Sequence, residues 1–207
     1  MKQERAVRTR RALVESAAAV FGQRGYADAT LSMISAGAGV SPGALHFHFE
    51  NKAAVGAAVE AAAARALRAV AREVYAERTS ALQALADSTQ ALARVLLYDV
   101  VARTGLQLAR EPAYVSASAL LGEWHAYVRR LLTEARAEGA LAAGLSDRGV
   151  VSTVVAATYG FAVLGRDDPQ WLSRRTLADF WRVVMPCLVG PAVLPARDTP
   201  GSAGRTR

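Results

Sequence analysis

Apolar residues recur along this chain at helical intervals, and no stretch alternates convincingly as a strand would. Leu13, Ala17, Val20 and Phe21 stand at i, i+4, i+7 and i+8, which predicts a first helix ending in the Gly22–Gly25 region. Thr30 then reads as the N-cap of a short second helix carrying Leu31, Ile34 and Ser35, closed by a left-handed Gly39. Ser41-Pro42 supplies an N-cap followed by proline at the first helical position, so a third helix of about two turns is expected from Pro42 to Phe49. A fourth helix opens after Asn51, with Val55, Val59, Ala63, Leu67, Val70 and Val74 along one stripe and an alanine run, Ala61–Ala64, small enough for close helix approach. Further helices are predicted near 80–108, 114–138, 147–164 and 173–190, separated by Glu111-Pro112, Gly139–Gly144 and Asp167–Pro169. Residues 191–207, rich in Pro, Gly, Ser and Arg, are expected to form a disordered tail. The fold class is all-α: a three-helix, helix-turn-helix head over 1–50 joined by a connecting helix to a larger helical body over 51–190.

Composition narrows this picture only where it excludes something. With 207 residues and 52% hydrophobic content, the chain can bury a sizeable core, whereas its longest apolar stretches, Val150–Val155 and Val183–Val189, fall short of a membrane span. The MKQERAVRTRR start has no apolar segment behind it, so a signal peptide is not expected and a reducing cytoplasm is the default compartment. Cys187 stands alone, which excludes an internal disulfide and a cysteine-rich metal site. Net charge is +7 and suits a polyanionic partner, but only the first helix concentrates it, with Lys2, Arg5, Arg8, Arg10 and Arg11 facing Glu4. Lysine occurs only at Lys2 and Lys52 beside abundant Arg and Ala, a mark of GC-rich coding rather than of function. Three His, one Cys and scattered acids form no nucleophile, metal or phosphate-loop constellation, so neither an enzyme nor a cofactor is expected. A basic membrane-surface protein is the other alternative, yet the arginine-rich helix lacks the large aromatics such binding favours.

The informative stretch is Thr30 to Lys52, two short helices about a Gly-containing turn, as a helix-turn-helix requires. Ala36 and Ala38 are expected to keep the first of the pair small where the second crosses it, with Val40 and Leu45 plugging the shared core. The stretch GYADATLSMISAGAGVSPGALHFHFENK resembles the signature of the TetR family of regulators. Gly25, Tyr26, Thr30, Ile34, Ala38, Gly39, Val40, Ser41, Gly43, Leu45, His48, Phe49 and Lys52 match in order. His46 departs from it, standing where the family usually has Tyr on the DNA backbone, and makes that contact pH-dependent. By position, Thr30 and Ser32 are expected to bond phosphate oxygens while Ser41, Pro42, Gly43 and Ala44 approach base edges in the major groove. His46, His48 and Lys52 are read as backbone-positioning residues, and Arg8 and Arg11 as reaching the flanking backbone. Phe47 and Phe49 are assigned to the core rather than to base stacking. His46 and His48, two apart on a helix, do not face one another as metal ligands would.

In the body, Val101–Pro112, Gly122–Gly139 and Phe180–Gly190 are similar to the γ-butyrolactone autoregulator receptors, TetR-type repressors of antibiotic production in high-GC filamentous bacteria. That resemblance implies a homodimeric repressor on a double-stranded DNA operator, released by a small hydrophobic signalling ligand. It also implies that Trp124 packs over the ligand ring and that Thr158 bonds a ligand oxygen, with Tyr127 and Tyr159 as pocket walls. From the residues alone, Trp124 reads equally as a core tryptophan and Thr158 as a hydroxyl bonded back to its own helix. Relatives often carry a polar Gln on the connecting helix where this chain has Ala61–Ala64, so butenolides, furans, an end-product antibiotic or loss of ligand binding stay open. The last two helices, with Val150, Val151, Val154, Tyr159, Leu177, Phe180, Trp181, Val184 and Leu188, carry apolar surface that the family uses as a four-helix dimer interface.

Overall fold

A computed structural model describes residues 2–116 and 120–189, and the tail expected at 191–207 lies outside the described residues. Helices α1 (Lys2–Asp28), α2 (Leu31–Gly37) and α3 (Pro42–His48) form the head. The long α4 (Lys52–Glu77) leads into α5 (Ala81–Tyr98), α6 (Val100–Leu108), α7 (Leu120–Ala137), α8 (Asp147–Leu164), a 3₁₀ turn (Pro169–Leu172) and α9 (Arg174–Val189). No described helix is long and apolar enough to cross a membrane.

Local chemistry places the head as the sequence predicts. Gly25 breaks α1 with φ 78°, and Thr30 caps α2 by accepting from Met33 N at 3.2 Å. Gly39 closes that helix at φ 65°, Ser41 caps α3 through Ala44 N at 3.2 Å, and Asn51 caps α4 through Ala54 N at 2.9 Å. Leu13, Ala17, Phe21, Ile34, Leu45 and Phe49 bury together, while Val20 and Val40 pack partly buried at the edge. Of the two alanines expected at the α2–α3 crossing, Ala38 packs partly buried against this core and Ala36 faces solvent; Gly37 abuts Ser16 of α1, whose hydroxyl donates to Ile34 O at 2.8 Å. Packing does not break at residue 50, because Val55, Ala58, Val59, Leu108 and Tyr114 belong to the same buried cluster as the head.

Helix α6 is the wedge that joins head and body, and its sequence explains how. Asp99 ends α5 and starts α6, its carboxylate accepting from Val101 N (2.8 Å) and Ala102 N (3.1 Å), so the single helix predicted over 80–108 is two. Arg103 turns back to donate to Leu96 O and Leu97 O, both at 3.0 Å, satisfying the last carbonyls of α5. Thr104, fully buried, donates to Ala18 O of α1 at 3.0 Å. Gly105 meets Ala63, and any side chain there would collide with it and crowd Val59 O at 3.2 Å. The alanine run of α4 is what admits this contact. Arg103, Thr104 and Gly105 thus tie α6 to α5, α1 and α4 at consecutive residues, with Leu108 sealing the core.

The body core gathers Leu82, Leu85, Val128, Leu131, Leu132, Val151, Val154, Trp181 and Leu188 from α5, α7, α8 and α9. This divides the apolar residues of the last two helices. Val151, Val154, Leu177, Trp181 and Leu188 are buried within the subunit, whereas Val150, Tyr159, Phe180 and Val184 are only partly covered. Helix α7 begins at Leu120 rather than near 114, and Tyr114 sits in the segment before it.

Candidate DNA-reading head and ligand cavity

The head presents a compact polar face. Thr30, Ser32, Ser41, Pro42, Gly43 and His46 are exposed, while Ala44 and His48 are partly covered. The capping hydroxyls of Thr30 and Ser41 each accept one backbone N–H, leaving the O–H free to donate outward. Arg8 is exposed with no partner among the described residues, whereas Arg11 pairs with Glu15 at 2.7 Å, an exposed i, i+4 pair of little energetic weight. Phe47 corrects the sequence reading: it is 82% exposed, not core, while Phe49 is 4% exposed beneath it. Phe47 lies on the exposed side of α3, whereas Phe49 follows the last residue of that helix with an extended backbone (φ −142°, ψ 127°) and is buried. Arg10 stacks its guanidinium 5.1 Å from the Phe49 ring and holds α3 against α1.

Lys52 is placed differently from its expected phosphate contact. Its Nζ donates to Tyr26 O (2.8 Å), Ala27 O (3.0 Å) and Ala29 O (3.0 Å) and lies 4.6 Å from the Tyr26 ring centroid. All three donors are used on the carbonyls that end α1, where the helix dipole also favours a cation. Lys52→Met should therefore lower stability by about 1–3 kcal/mol, since three carbonyls lose a charged partner. Urea unfolding measures it, and the salt slope of DNA binding should stay as in wild type. An unchanged urea midpoint with a slope reduced by about one unit would return Lys52 to the phosphate backbone.

In the body, the four residues assigned to a ligand line a single cavity of about 550 Å³, within the range that holds a small molecule. Trp124 on α7 donates from Nε1 to Thr158 Oγ1 on α8 at 2.8 Å, and Thr158 donates in turn to Val154 O at 2.8 Å. Thr158 thus bonds back to its own helix while accepting from Trp124. The Tyr127 ring stacks on Trp124 (centroids 5.7 Å apart), and its hydroxyl bonds Ser88 Oγ at 2.8 Å; burial pushes the phenol above its ordinary pKa. Tyr159 stands between this chamber and a smaller polar one of about 300 Å³, with the Arg110 guanidinium 5.6 Å from its ring centroid. The walls are otherwise apolar, including Leu67 and Ala71 of α4, Leu92 and Leu96 of α5, Leu120 of α7 and Phe161 of α8.

Sequence reasoning missed the rim. Arg68 of α4 forms a bidentate pair with Glu123 of α7 (2.6 and 2.5 Å), and that pairing holds the Glu123 carboxyl below its usual range. Arg130 of α7 donates to Glu134 at 2.9 Å and packs over the Tyr75 ring of α4 at 4.2 Å. Behind the cavity, Trp181 Nε1 donates to Thr89 Oγ1 at 2.6 Å, locking α9 to α5. The Arg68–Glu123 pair and the stacking of Arg130 on Tyr75 join helices distant in sequence, so no local signal announces them, whereas Arg130–Glu134 is an i, i+4 pair within α7. Trp181 carried the signal of a large apolar ring with an N–H that needs an acceptor when buried.

A helix-turn-helix head set on one end of a long helix, with an apolar chamber against the other, is the build of a one-component regulator. The profile of the "Bacterial regulatory proteins, tetR family" matches residues 13–59. The chain is 29% identical over 194 residues to the A-factor receptor protein of Streptomyces griseus, covering 93% of this chain and 68% of that one. Among solved structures, a γ-butyrolactone receptor (ArpA-like protein) is 30% identical, with TM-score 0.78 and 90% of each chain covered. CprB of Streptomyces coelicolor, solved with its operator sequence, is 31% identical, with TM-score 0.74, 89% of this chain and 90% of that one. The chain belongs to the TetR family, is most like its γ-butyrolactone receptor branch among these relatives, and is a regulator rather than an enzyme.

Proposed function

We propose that the protein is a homodimeric repressor that holds a pseudo-palindromic operator and lets go when a small hydrophobic signal, of γ-butyrolactone, butenolide or furan type, enters the chamber beside Trp124 and Thr158. The observation that carries this reading is the placement of the chamber against Leu67, Ala71 and Tyr75, on the same helix whose first turn anchors the head. A ligand oxygen would compete for the Trp124 indole N–H and the Thr158 hydroxyl, and an alkyl chain would lie along the α5 leucines. Thr30, Ser32, Arg8 and Arg11 hold phosphates; Ser41, Pro42, Gly43 and Ala44 approach bases; His46 and His48 position the backbone. Phe47 joins that face, since its ring stands exposed among the described residues. The likeness to an A-factor receptor makes control of antibiotic or other secondary-metabolite genes the expected role. The direct test is selection of DNA from a random library by the purified protein, followed by titration with synthetic 2-acyl-3-hydroxymethyl-γ-butyrolactones, butenolides and furans. Recovery of no enriched palindrome would sink the operator reading.

The dimer rests on exposed apolar residues of α9 and the end of α8: Val183 is 72% exposed, Val189 51% and Leu164 45%. Val183→Glu should shift sedimentation from dimer to monomer and weaken binding to the selected palindrome by at least about a hundredfold, because the two half-sites would no longer be tethered. A dimeric Val183→Glu protein with wild-type affinity would move the interface elsewhere.

A further inference from the structure

Three contacts grip one face of α4 in register. Lys52, Gly56 and Glu60 stand at i, i+4 and i+8, so they share a side of the helix. Lys52 is held by the carbonyls of the head. Gly56 leaves a notch filled by the Tyr114 ring, which an added Cβ would meet at 2.8 Å. Glu60, only 3% exposed, accepts a hydrogen bond from the Tyr114 hydroxyl at 2.8 Å and another from Ser116 Oγ. The same Tyr114 ring lies 4.8 Å from Tyr26, which lies 5.3 Å from Phe21 of α1. A buried carboxylate on a connecting helix is costly unless its donors are held in place, and here both come from the segment between α6 and α7. Burial, with Glu60 as the next cause, pushes the Tyr114 phenol well above its ordinary pKa, so the proton that Glu60 needs stays on the oxygen.

We propose that Tyr114 is the positioning residue that couples the ligand chamber to the DNA-reading head, by clamping α4 to α1 through Gly56 and Glu60. The clamp rests on the reading that ligand and DNA act at opposite ends of α4. It lies midway between them, with the head at Lys52 and the chamber at Leu67 and beyond. It is carried by the residues that follow α6, whose Leu106 lines the chamber. A displacement of α6 by an occupant of the chamber reaches the head by these residues and not only along α4. Coupling is a property of two arrangements that both sites bias, and a hydroxyl–carboxylate bond made in one and stretched in the other is such an element.

The test needs no identified ligand. Leu92→Trp, on α5, fills part of the chamber and stands in for an occupant; Ala162→Phe, on α8, does the same should the first fail to fold. Hydrogen exchange is read at amides 52–60 and, as an internal reference, at 128–135 of the body core. Tyr114→Phe keeps the ring and loses the hydroxyl, and is expected to raise exchange at 52–60 by about tenfold while leaving 128–135 unchanged. Gly56→Ala, which pushes the ring out from the other side, should do the same. Filling the chamber should raise exchange at 52–60 in the wild-type background and add nothing to Tyr114→Phe. Affinity for DNA selected by the wild-type protein is the second readout: filling should weaken it by about tenfold, and by less than about twofold in the Tyr114→Phe background. Unchanged exchange at 52–60 in both Tyr114→Phe and Gly56→Ala overturns the clamp, as does equal weakening of DNA binding in the two backgrounds, or no effect of filling. If wild type selects no DNA, the regulatory reading fails and the exchange data alone decide the clamp.

Discussion

Gly43→Glu should abolish sequence-specific DNA binding while leaving the fold intact or slightly more stable. Gly43 sits in the first turn of α3, is exposed, and an added Cβ would find its nearest neighbour, Ser41 Oγ, at 4.0 Å. Its backbone is not left-handed, so glutamate loses nothing there in conformation, gains helix propensity over glycine and complements the helix N-terminus. On the DNA side the same carboxylate would face phosphates and base-edge acceptors. A like-charge contact in an interface costs several kcal/mol, which corresponds to a loss of roughly a hundredfold or more in affinity. Gly43→Ala, with the same backbone effect and no charge, should bind within about tenfold of wild type. Anisotropy titrations at one fixed salt concentration, with thermal melts of both variants, separate the two effects. Wild-type affinity for Gly43→Glu would place the DNA-reading face away from the N-terminus of α3.

The head was legible because its boundaries are set by short-range chemistry. Thr30, Ser41-Pro42, Asn51 and Gly39 each fix a helix end through a hydrogen bond or a dihedral that spans only a few residues. Phe47 and Phe49 were harder, because composition gives both the same weight and only the end of α3 between them separates their surroundings. Lys52 is a different case. A cation at a helix start near DNA suggests phosphate, yet its ammonium is taken by carbonyls at the end of α1, three helices earlier, which come near only once the head has folded.

In the body, periodicity ran past the true break at Asp99, since Val95, Leu96, Leu97, Val100 and Val101 continue an apolar run across it. An aspartate that ends one helix and caps the next leaves no glycine or proline to mark the place. Tyr114 was swept into a predicted helix for want of a stop signal, so its bond to Glu60, 54 positions earlier, had no local trace. The cavity residues Trp124, Tyr127, Thr158 and Tyr159 were named through the resemblance to γ-butyrolactone receptors, not through periodicity, and the fold brings all four to one chamber. Their rim contacts Arg68–Glu123 and Arg130–Tyr75 are the product of α4 meeting α7, which pattern reading does not reach.

Trp124→Ala should leave operator binding within about twofold of wild type and raise the signal concentration needed for release by roughly a hundredfold. The indole is partly buried and is joined to the body by one hydrogen bond, to Thr158, and by stacking on Tyr127, so its loss enlarges the chamber without opening the main core. What disappears is the face on which a ligand ring would rest and an N–H that a ligand oxygen could take. A stacked ring and a hydrogen bond together account for about 3 kcal/mol, the size of coupling required. Trp124→Phe keeps the ring and lacks the donor, and should cost about tenfold; Thr158→Val should cost a similar amount. Because Trp124 and Thr158 share one bond, Trp124→Phe with Thr158→Val should fall short of the product of the single effects. Reciprocity supplies the check, since a ligand that binds Trp124→Ala a hundredfold more weakly must need that much more to dislodge DNA at the same operator concentration. The signal for these titrations is the compound that releases the selected palindrome from wild type. A Trp124→Ala protein released at wild-type concentrations of that compound would show that the signal acts at another chamber.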